Sequence, residues 1–157
     1  MTGNIPVGFE AIIYEVEGPV ATITLNRPEV ANAQDTQLID EVDEAFDLAD
    51  ADENVRVVVL AGNGRHFSSG HDLKALVGDT EPDEWRLMRE TPEGKYHHEK
   101  IMYFDRCLRI RDFRKPTIAR IKDLRCTTMN RSIHHPLGII VACAGVIRDD
   151  FSRKRSF

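Results

Sequence analysis

V-R-V-V-V-L-A-G-N-G-R-H-F-S-S-G-H-D-L, residues Val55 to Leu73, divides into two chemically different halves. The first, Val55 to Ala61, is a β-branched run carrying one charge, the pattern of a strand buried on both faces of a sheet. The second is built from Gly62, Gly64, Ser68, Ser69 and Gly70, small residues that let backbone approach a ligand closely. Asp72-Leu73-Lys74-Ala75-Leu76 then has the composition of a first helical turn. A strand ending in a small-residue loop that opens a helix presents backbone N–H groups to an anion or to developing negative charge. The glycine spacing fits neither the dinucleotide fingerprint nor a G-K-[ST] phosphate loop. Strand, glycine turn and helix is also the common unit of α/β proteins that bind nothing there, so the unit alone does not make a site.

Upstream, Phe9–Val16 and Val20–Asn26 alternate apolar and polar residues around Glu17-Gly18-Pro19, predicting a two-stranded hairpin that Asn26-Arg27-Pro28 ends. Asp35–Asp50 reads as an amphipathic helix with Leu38, Ile39, Val42, Ala45, Phe46 and Ala49 on its apolar face. Its carboxylates, Asp40, Asp43, Glu44, Asp47 and Asp50, read as a solvated face in preference to a metal site. Strand, helix and the Val55 strand form a crossover that puts the small-residue loop at a strand's C-terminal end.

Downstream, Pro82 and Pro92-Glu93-Gly94 predict interruptions and a mobile connector. A helix from about Glu99 to Ile110 follows, with Ile101, Phe104 and Leu108 in its apolar stripe. His97 and His98 are adjacent, a poor chelating arrangement on a helix, and read as surface residues. Lys115-Pro116-Thr117-Ile118-Ala119 opens another strand, and Leu137–Ile147 is an apolar run before a charged tail.

At 157 residues, 41% hydrophobic and 30% charged, the composition is that of one globular domain. No apolar run approaches the ~20 residues of a membrane span, and the N-terminus lacks the pattern of a secretory signal. Cys107, Cys126 and Cys143 form no C-x-x-C pair, which predicts reduced thiols and a cytoplasmic setting. Charge is unevenly placed. Residues 1–100 hold 8 Lys+Arg against 21 Asp+Glu, whereas residues 101–157 hold 13 against 5. The basic half lacks the interleaved aromatics of a single-strand nucleic-acid binder, so an acidic helix face packed near a basic one is the expectation. No nucleic-acid, membrane or metal partner is expected.

L-N-R-P at Leu25–Pro28, A-N-A at Ala31–Ala33, F-S-S-G-H-D-L at Phe67–Leu73, the R-V-V-V-L-A-G strand and K-P-T-I-A at Lys115–Ala119 occur in one order. Together they resemble the enoyl-CoA hydratase/isomerase (crotonase) superfamily, over roughly Phe9 to Ile121. The resemblance implies an α/β fold, a crotonase-like ββα spiral incomplete at its C-terminal end. Residues 1–121 would be a CoA-binding core and residues 122–157 a divergent basic tail. It also implies an acyl-CoA substrate, no separate cofactor, and a homo-oligomer, trimeric or hexameric.

The family's chemistry runs through an enolate-like transition state whose thioester oxygen is held by two backbone N–H groups. By motif position the resemblance gives the first donor to His71. It places Ser69 where a backbone carbonyl meets the adenine, and Ala31 and Ala33 where small residues line the CoA path. Gly70, Asp72 and Leu73 complete the matching stretch, with Asp72 expected to cap the following helix. The His71 imidazole as a general acid or base is the alternative role.

The resemblance fails after about Ile121. No glycine lies between Arg120 and Pro136 to supply the second oxyanion-hole turn, and glutamate is absent after Glu99. The paired carboxylates of a hydratase have no matching motif. A truncated or frameshifted longer protein and a divergent short member both fit. Three functions stay open: a hydratase or isomerase, an acyl-CoA-binding member without turnover, and an interaction subunit.

Overall fold

A computed structural model describes residues 8–77, 83–121 and 145–148. The expected hairpin forms from β1 (Ile12–Glu17) and β2 (Val20–Leu25), antiparallel, with Ile12 opposite Leu25. In β2, Ala21, Ile23 and Leu25 are buried while Val20, Thr22 and Thr24 are half-buried, as period-2 alternation requires. Helix α1 (Thr36–Ala51) carries the chain back so that β3 (Val57–Gly62) lies parallel to β2. β4 (Thr117–Ile121) adds parallel to β3, and β5 (Gly145–Arg148) parallel to β4. Strand order in the sheet equals order in the chain. The mixed α/β class follows from the sequence as read.

The six α1 residues expected to face inward are the six that are buried. Five of them share a core with Ile23, Leu25, Val58 and Leu60 of the sheet, with Phe46 edge-on to Phe113 at 5.1 Å, while Ile39 packs with Met102 and Tyr103. β3 departs from the expected strand covered on both faces. Val58 and Leu60 are buried, but Val57 and Val59 only half.

The carboxylates of α1 are not a merely solvated face. Arg106 pairs with Asp40 at 2.6 Å, Arg109 with Asp43 at 2.8 Å and also with Asp47, and Arg114 with Asp50. Lys115 Nζ donates to the carbonyls of Asp50 and Asp52 at the helix C-terminus, where a cation opposes the helix dipole. The acidic face of α1 thus meets the basic side chains of Arg106–Lys115 at the surface. Partly shielded pairs of this kind contribute up to about 1 kcal/mol apiece. Burial pushes the Asp43 carboxyl above its usual range, with Arg109 and then Arg106 opposing the shift.

The segment after α2 (Leu73–Val77) and α3 (Asp83–Met88) corrects three expectations. Pro92-Glu93-Gly94 is not a connector. It is the first turn of α4 (Pro92–Glu99), with proline at the helix start and Thr91 Oγ1 accepting from Gly94 N at 3.0 Å. The helical path continues through a π-helical stretch, Lys100–Asp105, into α5 (Arg106–Arg111). A π stretch inserts residues into the turn and rotates the register. The buried side chains are therefore Met102, Tyr103, Cys107 and Ile110, while Phe104, expected inside, is half exposed.

His98 is the third correction. Read as a surface residue, it is 1% exposed and meets Trp85 and Tyr103 edge-on at 5.2 and 6.3 Å. Its neighbour His97 is exposed. The predicted break at Pro82, residues 137–144 of the apolar run and the charged tail after Arg148 lie outside the described residues. No helix among those described is long and apolar enough to cross a membrane.

Candidate functional site

Two loops meet at the C-terminal ends of β2 and β3. The first begins at Arg27 and passes through a single 3-10 turn, Pro28–Val30. It leaves that turn with Ala31 and Asn32 both left-handed, at φ 54° and 52°. That conformation costs an L-residue about 1–2 kcal/mol, least for Asn. Here it brings Asn32 wholly inside. Its Oδ1 accepts from Arg27 N at 2.9 Å. Its Nδ2 reaches the carbonyls of Asn63, His66 and Phe67 at 2.9, 2.8 and 3.0 Å.

The second loop is Asn63–Asp72. It begins where Gly62 touches its own chain. A Cβ there would lie 2.6 Å from the Phe67 carbonyl oxygen and 2.9 Å from that of His66. The expectation that this glycine admits a ligand is corrected, because what it admits is the returning loop.

The loops then run side by side as a short parallel bridge. Ser69 N donates to the Ala31 carbonyl at 2.9 Å, Gln34 N to that of Gly70 at 2.8 Å, and Asp72 N to that of Gln34 at 2.9 Å. Ser68 Oγ donates to the Asn32 carbonyl at 2.7 Å. Ala31, Ala33, Ser69, Gly70, His71 and Asp72, chosen by motif, thus come together. Leu73 stands outside the pairing and is 70% exposed. Asp72 caps α2 as expected, its Oδ1 accepting from Lys74 N and Ala75 N at 3.1 and 3.2 Å.

The His71 ring stacks on Tyr103, centroids 3.7 Å apart and planes 28° from parallel. Tyr103 also lines an apolar cavity between α1, the sheet and the π stretch, together with Gln34, Leu60, Phe67, Met102 and Cys107. Among the described residues no group of three or more His, Cys, Asp or Glu side chains is placed to hold a metal ion.

Both the sequence and the fold have counterparts among known proteins. The profile of the enoyl-CoA hydratase/isomerase family matches residues 15–123. The chain belongs to that family. EchA13 of Mycobacterium tuberculosis, which carries the name of an enoyl-CoA hydratase, is 40% identical over 128 residues, 74% of this chain and 40% of EchA13. A trans-2-decenoyl-[acyl-carrier-protein] isomerase of Streptococcus mutans is 38% identical over 76 residues, 48% of this chain and 29% of the isomerase. The crystal structure of a probable enoyl-CoA hydratase from Mycobacterium smegmatis superposes with a TM-score of 0.67 at 37% identity, covering 88% of this chain and 48% of that one. The chain therefore spans less than half the length of these relatives.

Three residues of this candidate site are not announced by the sequence. Asn32 lies between the two alanines that motif position singled out, and its signal was an asparagine flanked by small residues after a proline turn. Arg27 pairs with Asp35 and Asp72, contacts that no local pattern announces. Tyr103 reaches His71 through a π register that periodicity cannot foresee.

Proposed function

We propose that this crotonase-family chain binds an acyl-CoA and polarises its thioester carbonyl through the backbone N–H of His71, in the manner of an enoyl-CoA hydratase. The observation carrying this reading is the bridge between Ala31–Gln34 and Ser69–Asp72, which sets the family's two ligand-lining motifs against each other. Water adding to C3 of a 2-enoyl thioester delivers electrons through C2 to the carbonyl oxygen. A preorganised N–H aimed at that oxygen stabilises the enolate, and one such donor contributes ~2.7–4 kcal/mol to the barrier. Protonation at C2 completes the addition. Residues for activating the water find no match in the sequence, and we assign none.

Hydration of crotonyl-CoA, followed by loss of thioester enone absorbance, tests the activity. His71→Ala keeps the donor and should retain most acyl-CoA binding and turnover. His71→Pro removes it and should abolish both, with circular dichroism confirming a retained fold. A loss of ~10²-fold or more in the alanine form, the scale of a general acid or base, would assign the chemistry to the imidazole instead. The alternative reading is binding without turnover. Calorimetric binding of the thioester with no hydration would establish it. We also propose a homo-oligomer in the cytoplasm.

A further inference from the structure

Arg27 holds two helix caps at once. Asp35 caps α1 with Oδ1, which accepts from Leu38 N at 2.9 Å, and its Oδ2 lies 2.9 Å from Arg27 Nη1. Asp72 caps α2 with Oδ1, and its Oδ2 lies 3.3 Å from Arg27 Nη2. Nη1 donates further to the Ala33 carbonyl at 2.7 Å. All three side chains are largely shielded, 21%, 21% and 13% exposed, so these pairs are less screened than surface ones. The guanidinium thus spans both loops, gripping Ala33 and Asp35 on one and Asp72 on the other.

The peptide that carries the His71 N–H lies between Gly70 and His71. Gly70 has φ +96°, a conformation open to glycine and strained for other residues, so this joint is intrinsically soft. Hydrogen bonds to Gln34 hold the backbone on either side of it. The Ala33 carbonyl that Arg27 grips belongs to the same planar peptide as Gln34 N, which in turn holds the Gly70 carbonyl of the peptide carrying the His71 N–H, while the Arg27–Asp72 pair holds its far side. We propose that Arg27 is the positioning residue of this site. By clamping Asp35, Ala33 and Asp72 together, it fixes the direction in which the His71 N–H points. The inference rests on the reading of that N–H as the thioester's donor. Lysine should substitute only in part, because a point charge cannot fork to two carboxylates.

The test uses the full chain as wild type, Arg27→Lys, Arg27→Met and Asp72→Asn. Hydrogen exchange followed by mass spectrometry reports the hold on the loop without ligand. In Arg27→Met, exchange across residues 68–73 should rise about tenfold or more while α1 keeps its protection. The Lys form should fall between, and Asp72→Asn should resemble the Met form. Binding of 2,4-hexadienoyl-CoA reports the donor, since polarising its carbonyl shifts the dienoyl absorbance to the red. The Met form should lose most of that shift while its affinity for CoA itself, by calorimetry, changes less than about threefold. Wild-type-like exchange at residues 68–73 in the Met form would overturn the proposal. So would equal loss of protection in α1, which would make Arg27 a general fold support. A wild-type chain that binds the thioester with no red shift would instead refute the donor reading of His71. Arg27's catalytic meaning would fall with it, whatever the exchange data showed.

Discussion

Replacing Asn32 by alanine should be among the most damaging single changes in the chain, and its cost can be assembled from the contacts. The amide group has two hydrogens to share among three carbonyls, and one oxygen that accepts from Arg27 N. That amounts to three effective hydrogen bonds at about 1 kcal/mol each, with Asn32 fully buried. Alanine at φ 52° adds about 1 kcal/mol, because it lacks the local hydrogen bonding that lets asparagine tolerate the left-handed region. The expected loss is about 4 kcal/mol, against the 5–15 kcal/mol that holds a typical domain together. Urea denaturation of Asn32→Ala and Asn32→Gly measures it. Glycine relieves the backbone but not the hydrogen bonds, so it should recover about 1 kcal/mol of the alanine loss. Asn32→Asp keeps the shape and the acceptor, yet turns a carboxylate toward three carbonyls. It should be at least as destabilised as the alanine form at neutral pH and improve on acidification. An alanine loss under about 1 kcal/mol, or a glycine form no better than alanine, would refute the assignment of Asn32 as the tie between the loops.

Two further changes probe the frame around the site. Gly62→Ala should cost about 1–3 kcal/mol, because its Cβ would meet the Phe67 and His66 carbonyls at 2.6 and 2.9 Å and backbone must give way. A urea midpoint equal to wild type would show that the loop can retreat freely. Asp43→Asn addresses pH. Burial raises the Asp43 carboxyl, so the folded chain holds that proton more tightly than the unfolded one. Stability owed to this group therefore increases as pH falls through the raised value toward the ordinary 3.8, and the penalty is fully present above it. The difference between wild type and Asp43→Asn, followed by urea midpoint across the weakly acidic range, should tilt toward wild type as pH falls. A difference independent of pH would refute the burial argument.

What the sequence made legible was whatever one element decides by itself. The period-2 alternation of β2 and the 3.6-residue recurrence of Leu38, Ile39, Val42, Ala45, Phe46 and Ala49 record which face meets the core. Asp72 announced a cap because capping is local. The motifs located both loops of the site, since their residues sit in short runs of chain. What stayed hidden depends on partners far along the chain. Arg27 meets Asp72 across 45 positions and Arg109 meets Asp43 across 66, and composition at either end cannot name the other. His98 looked like a surface residue because a polar ring beside another polar ring usually is one. It is buried because Trp85 and Tyr103 close around it.

The order of the strands, β1-β2-β3-β4-β5, also bears on how the chain acquires its shape. Each strand pairs with the one made just before it, so none must wait for a partner still to be synthesised. A chain leaving the ribosome can lay the sheet down stepwise, every new strand templated by an edge already in place. The parallel pairings still close long spans, Gly62 to Thr117 among them, and these are the slow steps of such a fold. Strands added or lost at the late edge leave the earlier pairings, and the two loops set at the ends of β2 and β3, in their original register.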